Sequence, residues 1–153
     1  MAEEEKVEEE KVDRLFPDER VIANNINVHF CGEMEEISKD KATIILTTRE
    51  DMEVDLGITH TGFVYSAAGF AALCAINKKN SIIIGSDVKF LAPVETNQRV
   101  EFKAKTLVGD MRKCEVKVEG FVLDIKIFDG LFYIVIFDKK LFKLKLKENA
   151  EQP

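Results

Sequence analysis

The chain has 153 residues, 46% of them hydrophobic, and a formal net charge of −6. This length allows one domain with a substantial core and little room for a second. Residues 1–20 hold nine acidic and four basic side chains and account for −5 of the charge, so the rest of the chain is nearly neutral. A nucleic-acid-binding domain usually carries a basic footprint. We therefore expect no nucleic-acid partner.

The numbers and spacing of cysteines and histidines further narrow the class of protein. Cys31, Cys74 and Cys114 have no paired spacing, and an odd number suits reduced thiols better than a disulfide framework. Cys74 falls in an apolar stretch and is expected to be a core residue. Only two histidines are present and no paired metal-ligand spacing occurs, so no metal site is expected. The sequence has no Walker motif either, and no cofactor is expected. The acidic start is unlike a signal sequence, and no apolar run is long enough to span a membrane. These features favour a cytoplasmic protein.

Three segments are predicted along the chain. Residues 1–20 form an acidic N-terminal tail or short helix, residues 21–140 form the folded domain, and residues 141–153 form a basic C-terminal extension. The alternating lysines at 139–147 favour a solvated edge. Contact with phosphates or with an acidic partner is the alternative.

The early part of the domain is predicted to form a hairpin. Apolar and polar residues alternate over 22–34 and 42–48, and residues 38–41 have turn composition.

The next segment is the apolar stretch 62–77. It is apolar nearly all round, too short to cross a bilayer and too hydrophobic to lie on a surface. We expect a buried helix that other elements enclose.

The remainder reads as strands. Residues 81–94, 100–106 and 114–118 have strand patterns, with turns at 109–110 and 123–124 and a phase change near Gly120 that indicates a bulge. The last strand runs to Phe137, with a second bulge expected at Asp129–Gly130. The simplest architecture is an α+β domain in which a long central helix is wrapped by a curved antiparallel sheet of about five or six strands. Such a sheet covers one face of the helix, and residues 132–137 are apolar on both faces, so a homodimer is predicted.

The turn that leads into the apolar helix resembles a family motif. Thioesterases of the phenylacetate type have N-x-x-G-x-x-H-G-G before this helix and an acidic residue within it. The chain has Val54, Gly57, His60, Thr61 and Gly62 at the first motif, and Gly69 at the acidic position. It thus resembles the hotdog fold of acyl-CoA thioesterases and their non-catalytic relatives over roughly residues 25–138. It is also similar to the acyl-CoA-sensing domain of the bacterial regulator of fatty acid and phospholipid biosynthesis.

The resemblance implies a site for a thioester carbonyl at the helix N-terminus, where free N–H groups and the helix dipole favour an oxygen or anion. Alternatively, Thr59 or Thr61 simply caps the helix. The predicted ligand-binding residues are Val54, Gly57, His60, Thr61, Gly62, Phe63, Gly69 and Phe90. No catalytic residue is predicted, because Val54 and Gly69 stand where the family has a polarising amide and a carboxylate. For Gly69, close packing of the helix on a strand is the structural alternative.

Three functions remain open. The first is non-catalytic binding of a fatty acyl-CoA or related pantetheine thioester by a dimer that acts as a metabolite sensor or carrier in lipid metabolism. The second is an active thioesterase in which Asp55 or Asp87 supplies the carboxylate, with His60 as a candidate base. The third is a dimerisation scaffold without a ligand. No helix-turn-helix precedes the domain, so a regulatory output would need a protein partner, which the acidic segment is placed to contact.

Overall fold

The computed structural model describes residues 19–110 and 112–137. The predicted N-terminal tail, apart from residues 19 and 20, lies outside the described residues, as do the basic extension and the lysine run at 139–147. No helix within the described part is long and apolar enough to cross a membrane.

One antiparallel sheet of six strands dominates the structure. The six strands are β1 (Glu33–Ser38), β2 (Lys41–Thr47), β5 (Ser81–Phe90), β6 (Arg99–Gly109), β7 (Lys113–Val122) and β8 (Ile125–Ile136). Their spatial order in the sheet is β1-β2-β6-β7-β8-β5. A short 3-10 helix at Glu50–Met52 leads to a separate two-stranded hairpin of β3 (Glu53–Asp55) and β4 (Ile58–Thr59). The chain thus forms the predicted α+β architecture.

The predicted central helix is confirmed. Helix α2 (Thr61–Ile76) packs on the sheet, and ten of its sixteen residues are buried. Alternating side chains of the strands meet it: Val100, Phe102 and Ala104 of β6 are buried, whereas Lys103 and Lys105, on either side of Ala104, face outward. This is the period-2 pattern that the sequence predicts, and it divides the sheet into an inner face on the helix and a polar outer face.

Asn77 ends helix α2 and holds the start of the described chain. Its backbone is left-handed at φ 49°, and its side chain is buried. The side-chain amide donates to the carbonyl of Glu19 at 3.0 Å, and its oxygen accepts from the N–H of Val21 at 2.8 Å. These bonds place Arg20 over the ring of Phe70, with its guanidinium carbon 5.0 Å from the centroid.

The predicted strand at 22–34 is wrong. Residues Val28–Cys31 form a short helix, α1, because the side chain of Asn27 accepts from the N–H of His29 at its start. The strand begins only at Glu33. The hairpin with its turn at 39–40 is otherwise as predicted.

Two further details of the strands differ from expectation. The bulge near Gly120 is present, but pairing continues unbroken through Asp129 and Gly130 on both sides of β8. A Cβ on Gly130 would lie 2.9 Å from atoms of both Phe128 and Val88, so this glycine permits close packing instead of a bulge. Strand β5 ends at Phe90, not at Val94.

The segment 132–137 does not present a free apolar surface. It belongs to β8, which lies between β7 and β5, and Phe132 and Ile134 are buried on the inner face. Tyr133 and Val135 on the outer face are half-buried. Strand β5, at the edge of the sheet, does carry exposed apolar side chains: Ile82 is 52% and Ile84 is 63% exposed.

Candidate functional site

The N-terminus of helix α2 is positioned by backbone hydrogen bonds. The N–H of His60 donates to the carbonyl of Met52 at 2.8 Å, and that of Thr59 donates to Val94 at 2.8 Å. Gly57 turns the β3–β4 hairpin at φ 76°, and its carbonyl accepts from Thr96 at 3.0 Å. The hairpin therefore fixes where the helix begins.

Within the part of the chain that the structure describes, no side chain caps the start of this helix. His60 occupies the N-cap position without a side-chain hydrogen bond to the first turn. Thr59 is buried and its hydroxyl donates to the carbonyl of Glu95 at 3.2 Å, so the alternative in which a threonine caps the helix is wrong. Thr61 and Gly62 are exposed. The first turn is therefore able to receive an oxygen atom or anion from outside the chain.

His60, Gly62 and Phe63 form one wall of this position. A Cβ on Gly62 would lie 2.7 Å from Nε2 of His60, so the glycine lets the imidazole lie against the first turn. The rings of His60 and Phe63 meet edge to face with centroids 6.0 Å apart, and Phe63 stacks on Phe30 at 5.7 Å. The guanidinium carbon of Arg49 lies 5.1 Å from the centroid of Phe30.

Phe30 and Arg49 are neighbours of the site that the sequence interpretation missed. The N-terminal region was read as a strand, which would have placed Phe30 elsewhere. Their distance along the chain from Phe63 gives no pattern that joins them. Arg49 brings a positive charge near the helix N-terminus, although one of its nitrogens contacts Asp51 at 3.0 Å.

The other predicted site residues are dispersed. Val54 lies on β3 and is 64% exposed. Phe90 is 42% exposed at the end of β5, where its ring meets Phe128 with centroids 5.6 Å apart. The structure therefore brings together Gly57, His60, Thr61, Gly62 and Phe63, whereas the ring contact of Phe90 is with the sheet residue Phe128.

Gly69 lies in the middle of helix α2 and faces the sheet. A Cβ there would be 3.1 Å from Cδ1 of Ile83 and 3.6 Å from Cε1 of Phe132. It is also about 12 Å along the helix from Thr61, at 1.5 Å per residue. Its position agrees with the packing alternative.

Carboxylates are absent from helix α2, whose sequence contains no Asp or Glu. Asp55 is exposed on β3 and its oxygen accepts from the N–H of Leu56 at 2.7 Å. Asp87 pairs across the strands with Leu131 on the outer face and accepts a hydrogen bond from the hydroxyl of Tyr133 at 2.8 Å. This bond raises the pKa of Tyr133. Asp87 thus lies on the face of the sheet away from the helix.

Cys74 is a core residue, as predicted. It is fully buried in helix α2, and burial raises the pKa of its thiol to about 12, with Arg20 acting in the opposite direction. The described residues contain no group of three or more His, Cys, Asp or Glu side chains that could hold a metal ion.

Known structures share this arrangement of helix and sheet. The HP0420 homologue of Helicobacter felis is 38% identical with a TM-score of 0.76, and the match covers 77% of this chain and 86% of that one. Cj0977 of Campylobacter jejuni, described as a sigma28-regulated virulence protein, is 35% identical with a TM-score of 0.76, covering 78% and 93%. The fold also matches a hypothetical thioesterase protein solved with coenzyme A from Streptococcus pneumoniae TIGR4, at 10% identity, 69% and 84% coverage and a TM-score of 0.65.

Curated relatives are matched over only part of their length. The methylthioribose-1-phosphate isomerase of Aquifex aeolicus strain VF5 is 35% identical over 111 residues, which are 72% of this chain and 24% of the isomerase. The transcription factor FapR of Thermoanaerobacter sp. strain X514 is 27% identical over 108 residues, which are 71% of this chain and 54% of FapR. The chain thus spans about half or less of either relative. No family model matches it.

A long helix on a curved antiparallel sheet, with an uncapped helix N-terminus at its edge, defines a hotdog-fold, thioesterase-like domain. Within that superfamily, the chain belongs to the family that includes the HP0420 homologue and Cj0977.

Proposed function

We propose that the protein binds a fatty acyl-CoA or a related pantetheine thioester without hydrolysing it efficiently, and acts as a metabolite sensor or carrier. The observation that carries this proposal is the uncapped N-terminus of helix α2, where Thr61 and Gly62 are exposed. A thioester carbonyl placed there would accept hydrogen bonds from the first turn and gain from the helix dipole.

The lack of a carboxylate supports binding over catalysis. Helix α2 contains no acidic residue, and the place where the resembling thioesterases have one is Gly69, which faces Ile83 and Phe132. A missing general base or nucleophile lowers turnover by about 10²- to 10⁴-fold. Asp87, one of the alternatives for that role, lies on the outer face with Tyr133.

The relatives are consistent with a thioester ligand. One solved neighbour of the same fold contains coenzyme A, and FapR is a transcription factor. A sensor of this kind would act through another protein, because the nearly neutral domain offers little for nucleic acid. The sensor role and the carrier role differ in which protein would be that partner.

A homodimer completes the proposal. Strand β5 is at the edge of the sheet, with exposed Ile82 and Ile84. Pairing with β5 of a second copy would extend the sheet and cover these side chains. Such pairing would also bring the exposed Phe90 of one copy toward the other copy, which gives this predicted ligand residue a role that one protomer does not supply.

Native mass spectrometry of the purified protein tests all three functions. A bound species of acyl-CoA mass is expected, and palmitoyl-CoA should bind while its hydrolysis stays near background. Rapid hydrolysis that Asp55→Asn abolishes would favour the enzyme, and no binding of any acyl-CoA would favour the scaffold.

A glycine pair tests the position of the site. Gly62→Val places a branched side chain against His60 at the first turn and should abolish palmitoyl-CoA binding in a folded protein. Gly109→Val is the matched control. Gly109 ends β6, ten residues after Arg99, which begins the strand. A Cβ on Gly109 would meet Thr106 at an ordinary 3.4 Å. Unchanged affinity in Gly62→Val would place the site elsewhere.

A further inference from the structure

A row of three lysines crosses the outer face of the sheet. Lys41 of β2 is directly opposite Lys105 of β6, which is directly opposite Lys117 of β7. All three are exposed. Neighbouring strands are about 4.8 Å apart, so three positive charges lie within about 10 Å. Like charges directly opposite each other destabilise a sheet, so this row is unfavourable unless something neutralises it.

Among residues 19–110 and 112–137, no carboxylate forms an ion pair with this row. Two other lysines of this face do have carboxylate partners: Lys103 contacts Glu101 at 3.2 Å, and Lys126 contacts Glu119 at 2.9 Å. Within the described residues, no ion pair involves Lys41, Lys105 or Lys117. The three charges are therefore available to an anion from outside the domain.

The same lysines line a groove of about 420 Å³. Ser38 and Thr43 add hydroxyl groups, and Leu107 adds an apolar wall. Leu107 lies in a bulge of β6 between Thr106 and Val108 and is 52% exposed. Small-molecule sites usually have volumes of about 300 to 1,000 Å³. The groove is thus large enough for a nucleotide-sized ligand.

The row is too short for a long polyanion. Beyond Lys117 the next position across the sheet is Leu131, followed by Asp87, and Glu36 lines the groove on the other side. A nucleic acid or an acidic polypeptide would extend over these carboxylates. A compact anion would not.

We propose that this groove binds a compact organic phosphate with two or more negative charges, of the size of a nucleoside diphosphate. The phosphates would lie over Lys105 between Lys41 and Lys117, and the organic part against Leu107. This site is distinct from the helix N-terminus for two reasons. It lies on the opposite face of the sheet, and it lies at the opposite end of β2. Lys41 begins this strand, and Thr47, at the end nearer the helix N-terminus, is six residues or about 20 Å away.

Calorimetric titration of the full chain with ADP tests the proposal. We expect binding that weakens as salt is raised, a loss of affinity of at least tenfold in Lys105→Gln and in Lys117→Gln, and no change in the control Lys79→Gln, an exposed lysine outside the groove. Inorganic pyrophosphate should compete with ADP, and adenosine should not bind.

Several results would overturn it. These are no ADP binding at millimolar concentration, equal affinity in Lys105→Gln and wild type, or adenosine binding as tightly as ADP. Loss of ADP binding in Gly62→Val would assign the phosphate to the helix N-terminus instead. Loss of acyl-CoA binding with retained ADP binding in that variant would leave this proposal standing and separate it from the first.

Discussion

Substitution of Gly69 distinguishes a packed helix centre from a ligand-lining one. With alanine, the new methyl group would meet Cδ1 of Ile83 at 3.1 Å and Phe132 at an ordinary 3.6 Å. Replacing a helical glycine by alanine gains about 1 kcal/mol, and the flexible end of Ile83 has to move by only a few tenths of an ångström. We therefore expect Gly69→Ala to be equal to wild type or up to about 1 kcal/mol more stable.

Gly69→Asp should behave differently because its carboxyl would lie against a methyl group and a phenyl ring. Burial favours the neutral form, so the carboxyl would have a pKa above its usual value of about 3.9 in the folded state. Each pKa unit corresponds to about 1.4 kcal/mol, and a shift of two units or more gives a loss of about 3 kcal/mol at pH 7. The folded state keeps a proton that the unfolded state releases above pH ~3.9, so stability falls as pH rises from there.

Urea unfolding of the two variants at pH 4.5 and pH 7 measures this difference. We expect Gly69→Asp to be about 3 kcal/mol less stable than Gly69→Ala at pH 7, with a smaller gap at pH 4.5. A gap below about 1 kcal/mol that does not change with pH would mean that the carboxyl reaches water or an open cavity. Position 69 would then line a site, as the resemblance to thioesterases implies, and the packed interpretation would fail.

Three further predictions concern the thiols, the end of the helix and the sheet edge. Cys74 should resist iodoacetamide at pH 8 in the native protein, because burial raises its thiol pKa to about 12. The half-buried Cys31 should be labelled under the same conditions. Equal labelling of the two cysteines by peptide mass spectrometry would contradict the buried position of Cys74. Asn77→Ala should lower the free energy of unfolding, measured in urea, by about 2 to 4 kcal/mol, because two hydrogen bonds are lost and alanine is strained in a left-handed backbone. Asn77→Gly loses the same hydrogen bonds without that strain, so its loss should be about 1 kcal/mol smaller. Equal losses would mean that the φ of 49° carries no strain. Ile84→Lys should convert a dimer to a monomer, as measured by sedimentation at low micromolar concentration. The control Ile125→Lys should remain a dimer, because Ile125 is equally 63% exposed but lies at a hairpin tip. The reverse result would mean that the interface is not at β5.

Much of the fold follows from local patterns in the sequence. The helix is specified by a long apolar run rich in alanine, and β6 and β7 by alternation of apolar and polar residues, as in Val100, Phe102 and Ala104. The region before residue 34 was misread because alternation alone does not register a side-chain cap such as Asn27. Gly130 was misread because a glycine in a strand permits either a bulge or close packing, and only the neighbours Phe128 and Val88 decide between them.

The candidate site was predicted only in its local part. Residues 57–63 are consecutive, so their convergence at the helix N-terminus could be inferred from the chain itself. The contribution of Phe30 depends on contacts between distant segments, and the row from Lys41 to Lys117 depends on strand order. Neither can be inferred without knowing which segments of the chain lie next to each other in the fold.

The position of helix α2 in the chain has a consequence for synthesis. Strands β6 and β7, which cover much of its apolar surface, follow it, and the sheet is complete only when β8 ends at Ile136. At roughly 5 to 20 residues per second, the ribosome needs about 3 to 12 seconds to make residues 77–136, from the end of the helix to the end of β8. During that interval a nascent chain carries a finished apolar helix with only the β1–β2 hairpin available to cover it. Assistance from a chaperone is therefore needed most before β8 has emerged.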